Sequence, residues 1–142
     1  MNYLVFLDPE AGELEKILSG IKSMILRKIN PALPAAGRVA SGDSLYFLKN
    51  NGDCSLRVRA SVVRVLSCMN DLGEDLSRTL KELQPKLQLT EDQYNRWSTE
   101  RLVVLVEFET AHKIAVIHVA PEKVTDRSDW IAFKEFSQIT LP

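Results

Sequence analysis

The chain has 142 residues, of which 45% are hydrophobic and 26% charged, which is typical of one globular domain, here residues 1–142. A net charge of −1 argues against binding nucleic acid by bulk electrostatics, since such proteins usually carry a strong basic excess. There is no apolar run long enough for a membrane span and no export-type leader, so we expect a soluble cytoplasmic protein with no membrane contact. The sequence does not set the oligomeric state, and we favour a monomer.

A strand and a helix are predicted first. Residues 2–7 (NYLVFL) form a short apolar strand, and Asp8–Glu10 supplies an N-cap, a first-turn proline and a first-turn acid. Gly20 provides the left-handed position that commonly ends a helix. We therefore predict a helix from about Pro9 to Ser19. Its apolar face consists of Leu14, Ile17, Leu18 and Ile21.

Two strands separated by a loop follow this helix. The first runs from about Ser23 to Ile29, and the two prolines in residues 30–37 predict an exposed loop after it. The second covers Ser44–Lys49. The sequence NNGD at positions 50–53 is then a strong signal for a hairpin.

The strand that returns from this hairpin is long. Apolar residues occupy every even position from Cys54 to Val62, and Val63 and Val65 continue the pattern one residue out of phase. Such a shift predicts a β-bulge near Val62–Val63, the device by which a sheet bends into a barrel.

Helices and further strands complete the chain. Leucines at helical spacing predict a helix over Leu72–Leu87, and Thr90–Gln93 is a capping box that opens a short helix through Trp97. Strands are predicted over Leu102–Glu109 and Lys113–Val119, joined by a tight connection at residues 110–112, and the aromatic tail packs back on the barrel. The order β-α-β-β-β-α-α-β-β describes an α+β fold with mostly antiparallel strands and two to three flanking helices.

Charge is unevenly distributed along the chain. Residues 31–67 hold five Lys or Arg against two acids, a local net charge of +3, whereas residues 68–100 hold four basic and seven acidic side chains, a net of −3. We therefore expect a basic barrel face beside an acidic helical insertion. Cys54 and Cys68 lie among valines and leucines without CxxC spacing, which indicates buried thiols.

The segment ILSGIKSMILRK, residues 17–28, resembles the signature of the ASCH family of the PUA-like superfamily, in which a helix ends in Gly-x-Lys-Ser/Thr and a strand with an arginine follows. Residues 37–66 resemble the family's Gly-Asp turn and barrel hairpin, and the opening MNYLVF is similar to EVE domains, a sister branch. The resemblance implies a small PUA-like β-barrel with a cleft between barrel and helices that takes RNA, modified nucleobases or nucleosides.

Some proteins of the ASCH type are amidohydrolases acting on acylated cytidine, and others are nucleases. The resemblance implies that the amidohydrolases use the motif lysine, a threonine three positions later and a glutamate from the helical insertion. Lys22 matches the lysine, but the threonine position is Ile25. Glu74 is the candidate glutamate here, with Glu91 and Glu100 as further choices that the sequence does not separate.

Two interpretations of the motif cations stay open. Lys22 beyond a helix C-terminus is stabilised by unpaired carbonyls without any ligand. In the other interpretation Lys22 and Arg27 bind a phosphate or a base edge, beside Gly20 and Ser23. Strand alternation places Lys22 and Lys28 on one face and Arg27 on the other, so a shared site requires a bulge or turn that re-aims Arg27.

Three more side chains have the same ambiguity. Arg57 and Arg59 form either the solvated face of a strand or a stripe that follows a nucleic-acid backbone. Trp130 is either a core aromatic or a lid that stacks on a base. The two histidines, His112 and His118, lack cysteine partners, so neither a metal site nor another cofactor is predicted.

We therefore interpret the chain as a binding module for RNA or a nucleoside-type molecule, with a basic cleft beside Gly20–Lys28. Ile25 weighs against the second hypothesis, an amidohydrolase acting on N4-acylated cytidine with Lys22 and Glu74 as catalytic residues. A third hypothesis is a domain that only contacts other proteins.

Overall fold

The computed structural model describes residues 1–28, 39–49, 54–69, 74–100, 102–124 and 130–140. The predicted loop at 30–37 and the hairpin turn at 50–53 lie outside these ranges. The strands are β1 (Asn2–Leu7), β2 (Met24–Lys28), β3 (Ser44–Lys49), β4 (Ser55–Met69), β5 (Leu102–His118) and β6 (Trp130–Phe133). The α-helices are α1 (Glu13–Leu18), α2 (Glu74–Glu82), α3 (Gln84–Leu87) and α4 (Glu91–Trp97).

The six strands form one mixed sheet in the order β2-β5-β4-β3-β1-β6. Only β1 and β3 pair in parallel, and the other neighbours are antiparallel. The register of β4 against β5 shifts at three places, one of them between Val62 and Arg64, which confirms the predicted bulge. Although three strands separate β2 from β1 in the sheet, the Arg27 guanidinium on β2 reaches the Phe6 carbonyl at 3.0 Å on β1. The sheet therefore curls into a half-barrel.

The predicted hairpin after Leu102 is wrong. Residues 102–118 are one continuous strand that pairs along β4 from Met69 back to Ser55. Thr110 has a φ of 57°, which bends the strand without reversing it. The break in the apolar pattern at Thr110–His112 therefore marks an irregular strand residue and not a turn.

The first helix is shorter than predicted. A 3₁₀ turn covers Pro9–Ala11, capped by the Asp8 side chain, and α1 begins only after Gly12, whose φ of 63° interrupts the helix. Because α1 ends at Leu18, Ile21 lies beyond the helix, is 56% exposed and does not extend the apolar face.

The predicted helix over 72–87 consists of two helices, which makes four α-helices in the described part where two to three were expected. The break falls at Leu83, just before Pro85. Leu76, Leu80 and Leu87 are buried against β2 and β5. The capping box of Thr90 and Gln93 is confirmed at the start of α4.

The half-barrel encloses one core cluster, and two others lie on its outer faces, under the helices and under the C-terminal segment. The tail does pack back, since β6 pairs with β1 and the Trp130 ring stacks on Tyr3 at a centroid distance of 4.6 Å. In the ranges that the structure describes, no helix is long and apolar enough to cross a membrane.

Candidate functional site

The turn from Gly20 to Ser23 is held in place by backbone hydrogen bonds to several elements. Gly20, with a φ of 85°, donates its N–H to Ile17 O at 3.1 Å and ends α1. The Lys22 N–H bonds to Lys16 O at 3.0 Å. Ser23 donates to Lys86 O and accepts from the Phe108 N–H, both at 2.9 Å, so the turn is fixed between α3 and β5.

A cavity of about 380 Å³ opens between this turn and the bend in β5. Its lining consists of residues 17–20, Lys22 and Ser23 on one side and residues 108–111 on the other. Apolar groups such as Leu18 and Phe108 contribute to it together with hydroxyls such as that of Thr110. The positive φ of Thr110 gives β5 its irregular shape beside the cavity.

Lys22 is only 2% exposed, and its ammonium donates to Leu87 O at the end of α3. Burial lowers the pKa of Lys22 to about 8; the charges of Arg27 and Lys16 act in the same direction, and that of Glu13 opposes them. A helix C-terminus does bind this lysine, as in the first interpretation, but the helix is α3 and not α1.

A buried carboxylate that sequence reasoning missed, that of Glu13, raises the pKa of Lys22 by its charge. Glu13 is 6% exposed, its Oε1 accepts the Gln93 amide N–H, and its Oε2 has no hydrogen-bond partner in the described part of the chain. Gln93 is itself 3% exposed. We call Glu13, Lys22 and Gln93 the buried junction. Its signal in the sequence was the spacing of four between Glu13 and Ile17, which puts Glu13 on the buried face of α1.

Arg27 and Lys28 lie apart from the cavity. Arg27 is 7% exposed, and its guanidinium donates to the carbonyls of Leu26 and Phe6. It is near enough to Lys22 for its charge to affect the lysine pKa. Lys28 is exposed and forms an ion pair with Glu100 at 3.3 Å. The structure thus brings Gly20, Lys22 and Ser23 to the cavity. Arg27 is not part of the lining and instead links β2 to β1 across the half-barrel.

The other predicted residues lie on β4, β6, α2 and α4, outside the cavity lining. Arg57 is exposed, whereas the Arg59 guanidinium bonds to Ser44 Oγ at 2.8 Å and lies 6.0 Å from the centroid of the Tyr46 ring. Trp130 is half-buried against Tyr3. Glu74 begins α2, and its side chain is outside the described atoms. Glu91 is exposed.

Within the described ranges, no three His, Cys, Asp or Glu side chains are arranged to hold a metal ion. His112 Nδ1 lies 2.7 Å from Thr110 O, and His118 Nδ1 lies 3.4 Å from Ser55 Oγ. Both histidines are exposed on β5.

No protein-family model matches the sequence, and no curated protein matches it. Several solved structures match its fold. The ASCH protein from Zymomonas mobilis is 14% identical with a TM-score of 0.67, over 94% of this chain and 88% of that one. A tyrosine-to-phenylalanine and a serine-to-alanine variant of it are each 15% identical, with TM-scores of 0.67, over 94% of this chain and 91% and 89% of theirs. The chain therefore has the fold of an ASCH domain, a mixed half-barrel with flanking helices.

Proposed function

We propose that this chain is a binding module for a nucleobase or nucleoside, taken up free or as an unpaired nucleotide of an RNA. The observation that carries the proposal is the cavity of about 380 Å³ at the turn that the ASCH-like motif predicted. Its size falls within the roughly 300–1,000 Å³ of small-molecule sites. Free nucleosides and RNA both occur in the cytoplasm, which is the compartment that we expect from the sequence.

The lining favours a neutral ring over a phosphate backbone. Leu18 and Phe108 supply apolar surface for the faces of a heterocycle, and Ser23 and Thr110 supply hydroxyls for its edge. Among the described residues that line the cavity there is one cation, Lys22, and one acid, Glu109. A groove that follows several phosphates needs more positive charge than this.

The test is calorimetric titration with uridine, cytidine, N4-acetylcytidine, guanosine, adenosine and a short single-stranded RNA. Ala111→Trp fills the cavity and should abolish saturable binding. Ala115→Trp is the matched control, because Ala115 is exposed on the same strand and outside the lining. Equal binding by both variants, or no binding by the wild type, contradicts the proposal. Binding should depend only weakly on salt, since few phosphates are contacted.

One observation favours amidohydrolysis as a second candidate. With a pKa of about 8, Lys22 is partly neutral near physiological pH, and the neutral amine can accept a proton. Ile25, at the threonine position of the enzymes, is buried in the barrel core and offers no hydroxyl. Release of acetate from N4-acetylcytidine by the wild type, absent in Lys22→Met, would establish this activity. Binding of N4-acetylcytidine without release of acetate would rule out this activity and support the binding module.

A further inference from the structure

The cavity has a buried inner end and an exposed mouth. Ile17, Lys22 and Phe108 are each at most 3% exposed, so they form the inner end of the lining. The lining residues that are in contact with water form the mouth, and these are Ser19, Gly20, Glu109 and Thr110. A ligand that places an apolar ring at the inner end therefore leaves the groups attached to that ring at the mouth.

Glu109 is the acid at this mouth. It forms no ion pair and its side chain forms no hydrogen bond with another residue in the part of the chain that the structure describes. Glu107, two residues earlier on β5, differs in this respect, because it is paired with Lys86 and Arg64. The oxygens of Glu109 are therefore available to a ligand.

The cation of the described lining lies at the other end of the cavity. Lys22 is 2% exposed, and its ammonium donates to Leu87 O at the end of α3. It is held away from the water-exposed residues that surround Glu109. The mouth therefore carries the negative charge of Glu109, and this charge repels an anionic group that a ligand brings there.

A carboxylate only accepts hydrogen bonds, so the ligand group at the mouth must donate them. In a ribonucleoside the group attached to the base is ribose, whose 2′- and 3′-hydroxyls are neighbouring donors. The two oxygens of one carboxylate can accept a hydrogen bond from each hydroxyl. Acidic side chains bind ribose hydroxyls in this manner in dinucleotide-binding folds, so the chemistry is well suited to the sugar.

We propose that Glu109 selects unphosphorylated ribonucleosides, because its carboxylate accepts hydrogen bonds from the ribose 2′- and 3′-hydroxyls and repels a phosphate on the same sugar. This inference rests on the proposed binding function, which places the base in the cavity. It narrows that function to the free ribonucleoside. A nucleotide inside an RNA chain carries phosphates and has no free 3′-hydroxyl, so it binds more weakly.

The first test needs only the wild-type protein. Calorimetry compares uridine with 2′-deoxyuridine and with uridine 5′-monophosphate, and the same three forms of cytidine, adenosine and guanosine are titrated. We expect the deoxynucleoside to bind about 10-fold more weakly, which corresponds to one hydrogen bond to a charged group. The monophosphate should also bind about 10-fold more weakly at low salt, and this second difference should shrink as the salt concentration rises.

Two results of this comparison overturn the inference. One is equal affinity for a ribonucleoside and its deoxynucleoside, and the other is a monophosphate that binds as tightly as its nucleoside. Both leave the proposed binding function standing, because the base is still bound. If the wild type binds none of the nucleosides, the proposed function itself fails.

The second test is Glu109→Gln, which keeps the size of the side chain and removes its charge. The preference for uridine over 2′-deoxyuridine should fall to about threefold, since hydrogen bonds to a neutral acceptor are weaker. Uridine 5′-monophosphate should bind more tightly than it binds to the wild type, and a misfolded variant does not gain affinity. Wild-type preferences in a folded Glu109→Gln protein overturn the inference.

Glu122→Gln is the matched control. Glu122 is exposed in the 3₁₀ turn Pro121–Lys123 and lies outside the lining, so this variant changes the net charge by the same amount. It should retain both wild-type preferences. Thermal unfolding checks that both variants fold, and if Glu109→Gln does not, the comparison of the three ligand forms in the wild type decides the question.

Discussion

Lysine and glutamate lie near each other at several places in the described part of this protein, and two of these places differ in their consequences. In the buried junction, Lys22 and Glu13 are enclosed between α1, α3 and α4. On the outside, Glu107 of β5 pairs with Lys86 and with Arg64, the latter at 3.1 Å; we call these three residues the surface ladder. The same residue types are thus shielded from water in the buried junction and in contact with it in the surface ladder.

The pKa shifts express this difference. In the surface ladder, the hydrogen bond from Lys86 and the charges of Lys86 and Arg64 lower the pKa of Glu107 despite its partial burial, so the charged form is favoured. In the buried junction, desolvation lowers the pKa of Lys22, so the charged form is penalised. A charged group that burial destabilises, such as Lys22, is a better candidate for a functional role than one that ion pairs stabilise, such as Glu107.

The largest expected effect comes from Gln93→Leu. This change leaves both oxygens of Glu13 without a donor and removes the acceptor of the Thr90 N–H. We expect a loss of about 3 kcal/mol in the free energy of unfolding, measured by denaturant titration. Asn95→Leu, at an exposed position of α4, should change it by less than about 0.5 kcal/mol. Equal losses in the two variants would mean that Glu13 does not depend on Gln93.

A smaller effect is expected from alkaline pH. The pKa of Lys22 is 10.5 in the unfolded chain and about 8 in the folded protein. Between pH 8 and pH 10.5 the unfolded chain therefore binds more protons than the folded protein does. Stability therefore rises with pH across this window. From pH 8 to pH 10 the wild type should gain about 2 kcal/mol over Lys22→Met.

The control for this pH series is Lys28→Met, because Lys28 is exposed on β2. Its stability should follow that of the wild type across the same range. A flat difference between the wild type and Lys22→Met would contradict the desolvated state of Lys22.

The smallest effect is expected in the surface ladder. Glu107→Gln should cost about 0.5 kcal/mol at neutral pH and less at high salt, because partly exposed ion pairs are weak and screened. The folded pKa of Glu107 is below its ordinary value of 4.5, so this contribution is present above pH 4.5 and is lost as pH falls through the folded value. Denaturant titrations of the wild type and Glu107→Gln at several pH values measure this contribution. A loss of stability as large as that of Gln93→Leu would contradict the difference between the surface ladder and the buried junction.

Local signals predicted much of the fold correctly. The bulge after Val62 follows from the phase of alternation, and the capping box at Thr90 follows from hydrogen-bonding chemistry within four residues. The division of the first helix at Gly12 and the uninterrupted course of β5 through Thr110 were missed. Both are single positive-φ residues, whose conformation depends on neighbours in space.

The candidate site was predicted in part. Gly20, Lys22 and Ser23 do meet at the cavity, because the end of a helix and the start of a strand are contiguous in the chain. The acid whose charge acts on Lys22 was not predicted, since Glu13 lies nine residues away at the start of α1 and its own partner Gln93 lies on α4. Arg57, Arg59 and Trp130 looked equivalent to the motif residues only because sequence does not show which strands adjoin the cavity.

The sequence by itself determined the helix-to-strand turn at Gly20 and the curling long strand, because each depends on φ/ψ preference or on periodicity within a few residues. It also contains the residues that resemble the ASCH motif. Only the tertiary structure decided that Arg27 fastens the half-barrel, that α3 holds the Lys22 ammonium and that Glu13 keeps one oxygen unpaired in the described part of the chain. These three facts depend on burial and on contacts between distant segments. The free energy of keeping a side chain charged depends on its burial and on the groups around it, and these are set by the packing of distant segments.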